Sequence, residues 1–222
     1  MLFRIHNEGR IYFITSLIVS IIIFPFFPII GVILIIFSSY IFYFFRDPIR
    51  TIPNEDVIVS PADGIVTYVG KSEPPISIEG DYNFIKISIF LNIFNVHVNR
   101  IPTTGIIRNI NYIHGKFINA TLEKSSEDNE RNIITLEKKN NDIIIITQIA
   151  GLIARRIVCE VKEKQKVYKG HRFGIIKFGS RVDIYMPSHY KPLITIGQVV
   201  LGGETIISNP NDIKEITNSI KI

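Results

Sequence analysis

Cysteine is almost missing from this chain: among 222 residues there is one, Cys159. A single thiol excludes an intramolecular disulfide and a cysteine-cluster metal site, so nothing covalent staples the fold and no metal is expected. A second absence is local. From Ile11 to Phe45 no Asp, Glu, Lys or Arg occurs across 35 consecutive residues. Beyond that run, no stretch has the 3.6-residue periodicity of a long amphipathic helix. The aromatic interleaving of a single-strand groove is thin, and no nucleic-acid fold signature is present. A formal charge of +5 therefore points to a membrane surface and away from nucleic acid. With 46% apolar and 20% charged residues the chain has enough apolar material for a packed domain.

The uncharged run is built from Ile, Phe, Leu, Val and Tyr and reads as a membrane segment. As one helix it would reach roughly 52 Å, well beyond a hydrocarbon core of ~30 Å. Pro25 and Pro28 sit near its middle, remove two backbone donors and place a break there. Two arms follow, roughly Ile11 to Phe24 and Ile29 to Phe45, with Arg4 and Arg10 before them and Arg46 and Arg50 after. The positive-inside tendency puts both ends on the cytoplasmic side. The expectation is a helical hairpin over residues 1–48, either re-entrant or two thin crossings, on a cell membrane. A secretory signal is the competing reading, disfavoured by the length of the run and the lack of a small-residue cleavage site.

After Arg46-Asp47-Pro48 the composition changes to short apolar stretches separated by Gly, Pro, Asn and Asp. Strands are expected over Gly64–Gly70, Phe84–Phe90, Ile133–Leu136, Ile143–Gln148, Ile157–Val161 and Val182–Met186. Turns fall at Pro61–Gly64, Pro74–Pro75, Asn140–Asp142 and Gly202–Gly203. Residues 49–222 thus read as a mainly β domain, barrel- or sandwich-like, with Lys124–Asn132 as a polar loop. Between Arg155 and Arg181 nine Lys or Arg face two acids, Glu160 and Glu163. A cluster of this kind on a tethered chain favours anionic headgroups, although a solvated strand edge would look the same.

Three residues could form an activated nucleophile. Ser180 follows Gly179 between two apolar stretches, Asp63 lies in Ser60-Pro-Ala-Asp-Gly64, and His97 lies in Asn95-Val-His-Val-Asn-Arg100. A serine hydroxyl needs a base to take its proton, and a carboxylate can orient the imidazole that does so. Each residue also has a plain alternative: Gly179-Ser180 and Asp63-Gly64 as turns, His97 as a packed histidine.

The stretches Ser60–Gly64, Phe94–Arg100, Gly115–Ala120, Glu127–Asn132, Gln148–Arg156 and Gly174–Arg181, in this order, make the chain resemble phosphatidylserine decarboxylase in its short, single-domain, membrane-associated (type A) form. The resemblance implies a pyruvoyl enzyme made by self-cleavage between Gly179 and Ser180. It implies a β chain of residues 1–179 and an α chain of residues 180–222, held as a non-covalent heterodimer, with higher oligomers left open. The pyruvoyl group, derived from Ser180, would be the only cofactor. The implied substrate is phosphatidylserine in a membrane surface and the product phosphatidylethanolamine, with His97, oriented by Asp63, as base. Longer members carry two nearby histidines where this chain has only His97, and Phe178-Gly179-Ser180-Arg181 replaces their Leu-Gly-Ser-Thr. His114 is assigned no catalytic role, and His171 is a reserve base. Two other readings stay open: a lipoyl-like β-sandwich binding module, suggested by the Gly-spaced run Ile196–Ile206, and a serine hydrolase, which lacks the nucleophile elbow.

Overall fold

A computed structural model describes residues 4–78, 83–116, 128–151, 156–177 and 180–210. The break at the two prolines is where the sequence places it. Helix α1 spans Asn7–Ile23 and α2 spans Pro28–Phe44, with Pro28 at the first helical position, where its missing N–H costs no hydrogen bond. The arms run antiparallel. Gly9 lies so close to Phe45 that an added Cβ would come within 2.3 Å of its ring, and the Ser20 and Ser38 hydroxyls meet at 3.3 Å. Small residues let the two backbones approach. Among the described residues no helix is long and apolar enough to cross a membrane. Strands β1 (Arg4–Ile5) and β2 (Arg46–Asp47) pair across the base of the hairpin.

The remaining strands are β3 (Ile58–Val59), β4 (Gly64–Lys71), β5 (Phe84–Leu91), β6 (Val98–Arg100), β7 (Gly105–Ile113), β8 (Arg131–Glu137) and β9 (Ile143–Ile149). They continue with β10 (Arg156–Cys159), β11 (Lys166–Val167), β12 (Arg172–Lys177), β13 (Ser180–Pro187), β14 (Val199–Val200) and β15 (Ile206–Ser208). Eight of them form one antiparallel sheet in the order β11-β7-β8-β9-β13-β5-β4-β14, and three form a second, β10-β12-β6. The domain is mainly β, with two packed sheets, a two-stranded β3–β15 ribbon, and short edge strands β11 and β14 where a closed barrel would have none.

Period-two alternation sorts the large sheet. Ile87, Ile89, Leu91, Ile134, Leu136, Ile144, Ile146, Val182, Ile184 and Met186 join the main core. The intervening Ile133, Ile145 and Tyr185 pack in a separate cluster. The small sheet closes over the main core with Ile157, Phe173 and Ile176 and turns Val98 and Ile175 toward Ile41, Phe44 and Phe45 at the base of the hairpin. Three layers result: hairpin, small sheet, large sheet.

Part of the polar loop expected over Lys124–Asn132 is strand, because Arg131 and Asn132 begin β8; residues 124–127 lie outside the described residues. The basic cluster is also divided. Lys177 and Arg181 are buried, and Arg172 pairs with Asp47, whereas Lys162, Lys164 and Lys166 are exposed and Lys169 is half-buried. Arg155 is outside the described residues.

Candidate active site

Strand pairing brings the three sequence candidates to one end of the large sheet. Ser180 opens β13 and pairs with Leu91 at the end of β5, while on the other side of β5 Ile65 pairs with Phe90, two residues after Asp63. Gly64 is required there, since a Cβ would fall 2.2 Å from the Phe90 carbonyl oxygen. From Leu91 the chain turns through Asn92–Asn95 to His97, whose carbonyl accepts from Ile176 N–H four residues before Ser180. Phe178 and Gly179 lie outside the described residues.

Ser180 is fully buried, and its Oγ has no hydrogen-bond partner among the described residues. A buried hydroxyl is normally paired, so a partnerless one marks a group held for another purpose. His97 is likewise fully buried, its ring 4.2 Å from that of Phe44. Its Nδ1 lies 3.0 Å from the Asn95 carbonyl oxygen. A carbonyl only accepts, so Nδ1 carries the proton and Nε2 the lone pair. Nε2 also lacks a partner among the described residues. Burial above all, with Arg46 adding to it and the Asn95 bond opposing, lowers the imidazole from its ordinary 6.5 to about 4. His97 is therefore a neutral base with a free lone pair near pH 7.

Asp63 does not hold His97. Its Oδ1 and Oδ2 accept from one Arg50 nitrogen at 2.9 and 2.8 Å, and Oδ1 also accepts from Gly202 N–H at 2.8 Å. The hydrogen bond expected between Asp63 and His97 is absent, because an arginine at the exit of the hairpin takes the carboxylate; the histidine tautomer is set by Asn95. Burial raises the Asp63 carboxyl above its usual range, against the pull of Arg50 and Gly202 N–H. Arg100, two residues past Val98, ties the same end together by donating to Asp47 Oδ1 at 2.6 Å and to the Gly170 carbonyl at 2.9 Å.

The hairpin stands on this end of the domain. Tyr40 and Arg46 donate to the carbonyls of Ile93 and Phe94 in the turn before His97. Lys177 pairs with Glu8 at 2.7 Å and borders an apolar cavity of about 490 Å³ between the helices, walled by Tyr12, Val19, Leu34 and Phe37.

The phosphatidylserine decarboxylase family profile matches residues 37–208. A phosphatidylserine decarboxylase proenzyme of Ehrlichia chaffeensis is 49% identical over 211 residues, 94% of this chain and 92% of that protein. The proenzymes of Rickettsia akari and Rickettsia prowazekii are 47% and 46% identical over 207 residues, 92% of this chain and 90% of each. The chain belongs to the phosphatidylserine decarboxylase family. No residues capable of grouping around a metal ion occur among the described residues of this family member. His171 stacks on Tyr168, and His114 is exposed near Glu130. Sequence reasoning missed Arg50 and the Asn95 carbonyl. It also missed three buried amides, Asn99, Asn132 and Gln148, whose polar side chains at inward strand positions were the available signal.

Proposed function

We propose that this chain is a proenzyme that cuts itself between Gly179 and Ser180 and then decarboxylates phosphatidylserine to phosphatidylethanolamine and CO₂. The observation that carries the site assignment is the buried Ser180 hydroxyl at the sheet end shared with a neutral His97, the hydroxyl and the His97 Nε2 both lacking a partner among the described residues. His97 Nε2 takes the Ser180 hydroxyl proton as Oγ bonds to the carbonyl carbon of residue 179. The carbon–nitrogen bond then breaks, the nitrogen of residue 180 gains a proton, and an ester is left. Removal of the residue-180 α-proton breaks the Cβ–Oγ bond, releasing the residue-179 carboxylate and a dehydroalanine. Tautomerisation and addition of water expel ammonia and leave a ketone at residue 180.

A Ser180 whose oxygen has no hydrogen bond among the described residues fits conversion to a pyruvoyl group, because losing that oxygen breaks no hydrogen bond among them. Once formed, that ketone supplies an electron sink for decarboxylation of an amino acid headgroup. The chain's own contributions are a dry layer around residue 180 and a neutral imidazole that accepts and returns a proton there. Asp63 is a positioning residue, holding the Asp63-Gly64 turn to Arg50 and Gly202.

The hairpin places the enzyme on its lipid. Phe24, Phe26, Phe27, Ile29 and Ile33 are exposed on it, so its surface is apolar where a water-facing helix would be polar. At ~1.5 Å per residue each 17-residue arm is about 26 Å long, suited to a re-entrant hairpin in a cell membrane. The catalytic residues 49–222 then lie at the cytoplasmic headgroup level, with exposed lysines of the basic segment toward anionic lipid. Keeping the acyl chains in the bilayer avoids about 0.8 kcal/mol for each CH₂ brought into water. Family membership favours catalysis over a lipoyl-like binding module.

The test is Ser180→Ala in the full chain. The variant is expected to remain one uncut polypeptide without decarboxylase activity; a cut or active Ser180→Ala protein overturns the assignment.

A further inference from the structure

The inward face of the large sheet changes character toward the end that carries Ser180. Along β8 the core-facing positions run Leu136, Ile134, Asn132; along β9, Ile144, Ile146, Gln148; along β13, Met186, Ile184, Val182, Ser180. Asn132 pairs with Gln148 in the strand register, and Gln148 pairs with Val182, so the polar residues share one face. Asn99, two residues beyond His97 on the covering sheet, meets them across the layer. All four polar residues are fully buried.

Their amides are connected in one direction. Asn132 Nδ2 donates to Gln148 Oε1 at 2.9 Å, and Gln148 Nε2 donates to Asn99 Oδ1 at 2.8 Å. Because the Asn99 oxygen is taken, its Nδ2 is the terminal donor of the chain, and it has no partner among the described residues. Each preceding bond polarises the next and makes that last N–H a better donor. Leaving such a donor dry and unpaired is costly, because its lost water is not replaced. An apolar residue, as at Ile146 and Ile134 one turn of the pleat away, would avoid that cost.

We propose that Asn99 Nδ2 is the oxyanion donor for self-cleavage. When Ser180 Oγ attacks, the carbonyl oxygen of residue 179 becomes negative on a five-membered ring that includes the Ser180 nitrogen, Cα, Cβ and Oγ. The charge therefore develops on the carbonyl group bonded to the Ser180 nitrogen, and a preorganised donor in a dry site acts most strongly on such a charge; Asn99 reaches this face through Gln148, which is paired with Val182, two residues from Ser180. Gln148 and Asn132 are positioning residues that keep the Asn99 amide from flipping. The inference rests on the self-cleavage reading above.

The experiment follows cleavage of the full-length chain made in a cell-free system with detergent or vesicles, by gel and intact mass, beside its thermal unfolding. Asn99→Asp keeps the shape and the acceptor for Gln148 but replaces the terminal donor with an acceptor. Cleavage is expected to slow at least a hundredfold with folding retained. Gln148→Met keeps the stem but frees the Asn99 amide to turn, and is expected to slow cleavage about tenfold. Restoring the polar amide as Asn99→Gln is expected to recover part of the rate, which a merely structural role would not predict. A folded Asn99→Asp or Gln148→Met chain that cuts within twofold of the parent overturns the proposal. If neither variant folds, the amide chain serves folding and the proposal is also overturned. A parent chain that never cuts refutes the self-cleavage reading itself, so the two failures are distinguishable.

Discussion

At the scale of single residues, the imidazole of His97 gives the site its pH behaviour. Its fold-imposed value of about 4, against an ordinary 6.5, means that the native state binds the proton less readily than the unfolded chain. The contribution to stability is therefore full above pH 6.5 and is lost as pH falls toward 4, amounting to roughly 3 kcal/mol at ~1.4 kcal/mol per unit. Unfolding of an uncut Ser180→Ala chain between pH 4 and 7 should show this slope, and the further substitution His97→Gln should flatten it; equal slopes would contradict a buried neutral imidazole. Asp63 makes a second prediction. Removing one partner of a buried ion pair strands the other, so Asp63→Ala should cost about 3–5 kcal/mol of stability by leaving Arg50 unpaired. Asp63→Ala combined with Arg50→Leu should regain most of the stability and most of the cleavage rate. Regained stability with cleavage still blocked would give Asp63 a chemical role in place of a positioning one.

At the scale of elements, the hairpin and the turn ahead of His97 act together. Phe44 stacks on His97, while Tyr40 and Arg46 hold the carbonyls of Ile93 and Phe94. In the proposed function, membrane contact and the base therefore share one support. The exposed hairpin tip at Phe26 and Phe27 supplies much of the membrane affinity in this account. Replacing both with Asp should lower co-sedimentation with phosphatidylserine vesicles at least tenfold while self-cleavage proceeds, since neither residue touches the layer around Ser180. Unchanged sedimentation would move the membrane contact elsewhere. The hairpin was legible because 35 uncharged residues interrupted by Pro25 and Pro28 allow few folds. The long strands were legible because their apolar residues sit at turn-bounded stretches: Phe84–Leu91 and Ile143–Ile149 match the expected spans to within one residue. Strands β6, β7 and β12 were not marked out, because Asn99, Arg100, Arg108, Asn109, Asn111 and Arg172 blur their pattern and only tertiary pairing makes them strands.

At the scale of the whole molecule, three layers converge on one sheet end, and that convergence is what sequence reading could not supply. Ser180, His97 and Asp63 are separated by long stretches of chain and were joined only by chemical plausibility and by resemblance. In the structure Ser180 opens β13, Asp63 precedes β4 and His97 precedes β6, and Asp63 is held by Arg50, a partner invisible to any local pattern. The amides Asn99, Gln148 and Asn132 looked like ordinary polar positions until their strands were folded face to face. The proposed chemistry requires that the peptide bond before Ser180 breaks and that Ser180 becomes the reacting carbonyl. Intact mass of the purified full-length protein tests it most directly. The prediction is two chains, residues 1–179 and 180–222, the smaller one lighter by one ammonia than a chain starting with serine and resistant to amino-terminal sequencing. One unbroken chain of 222 residues that still releases CO₂ from phosphatidylserine would contradict it.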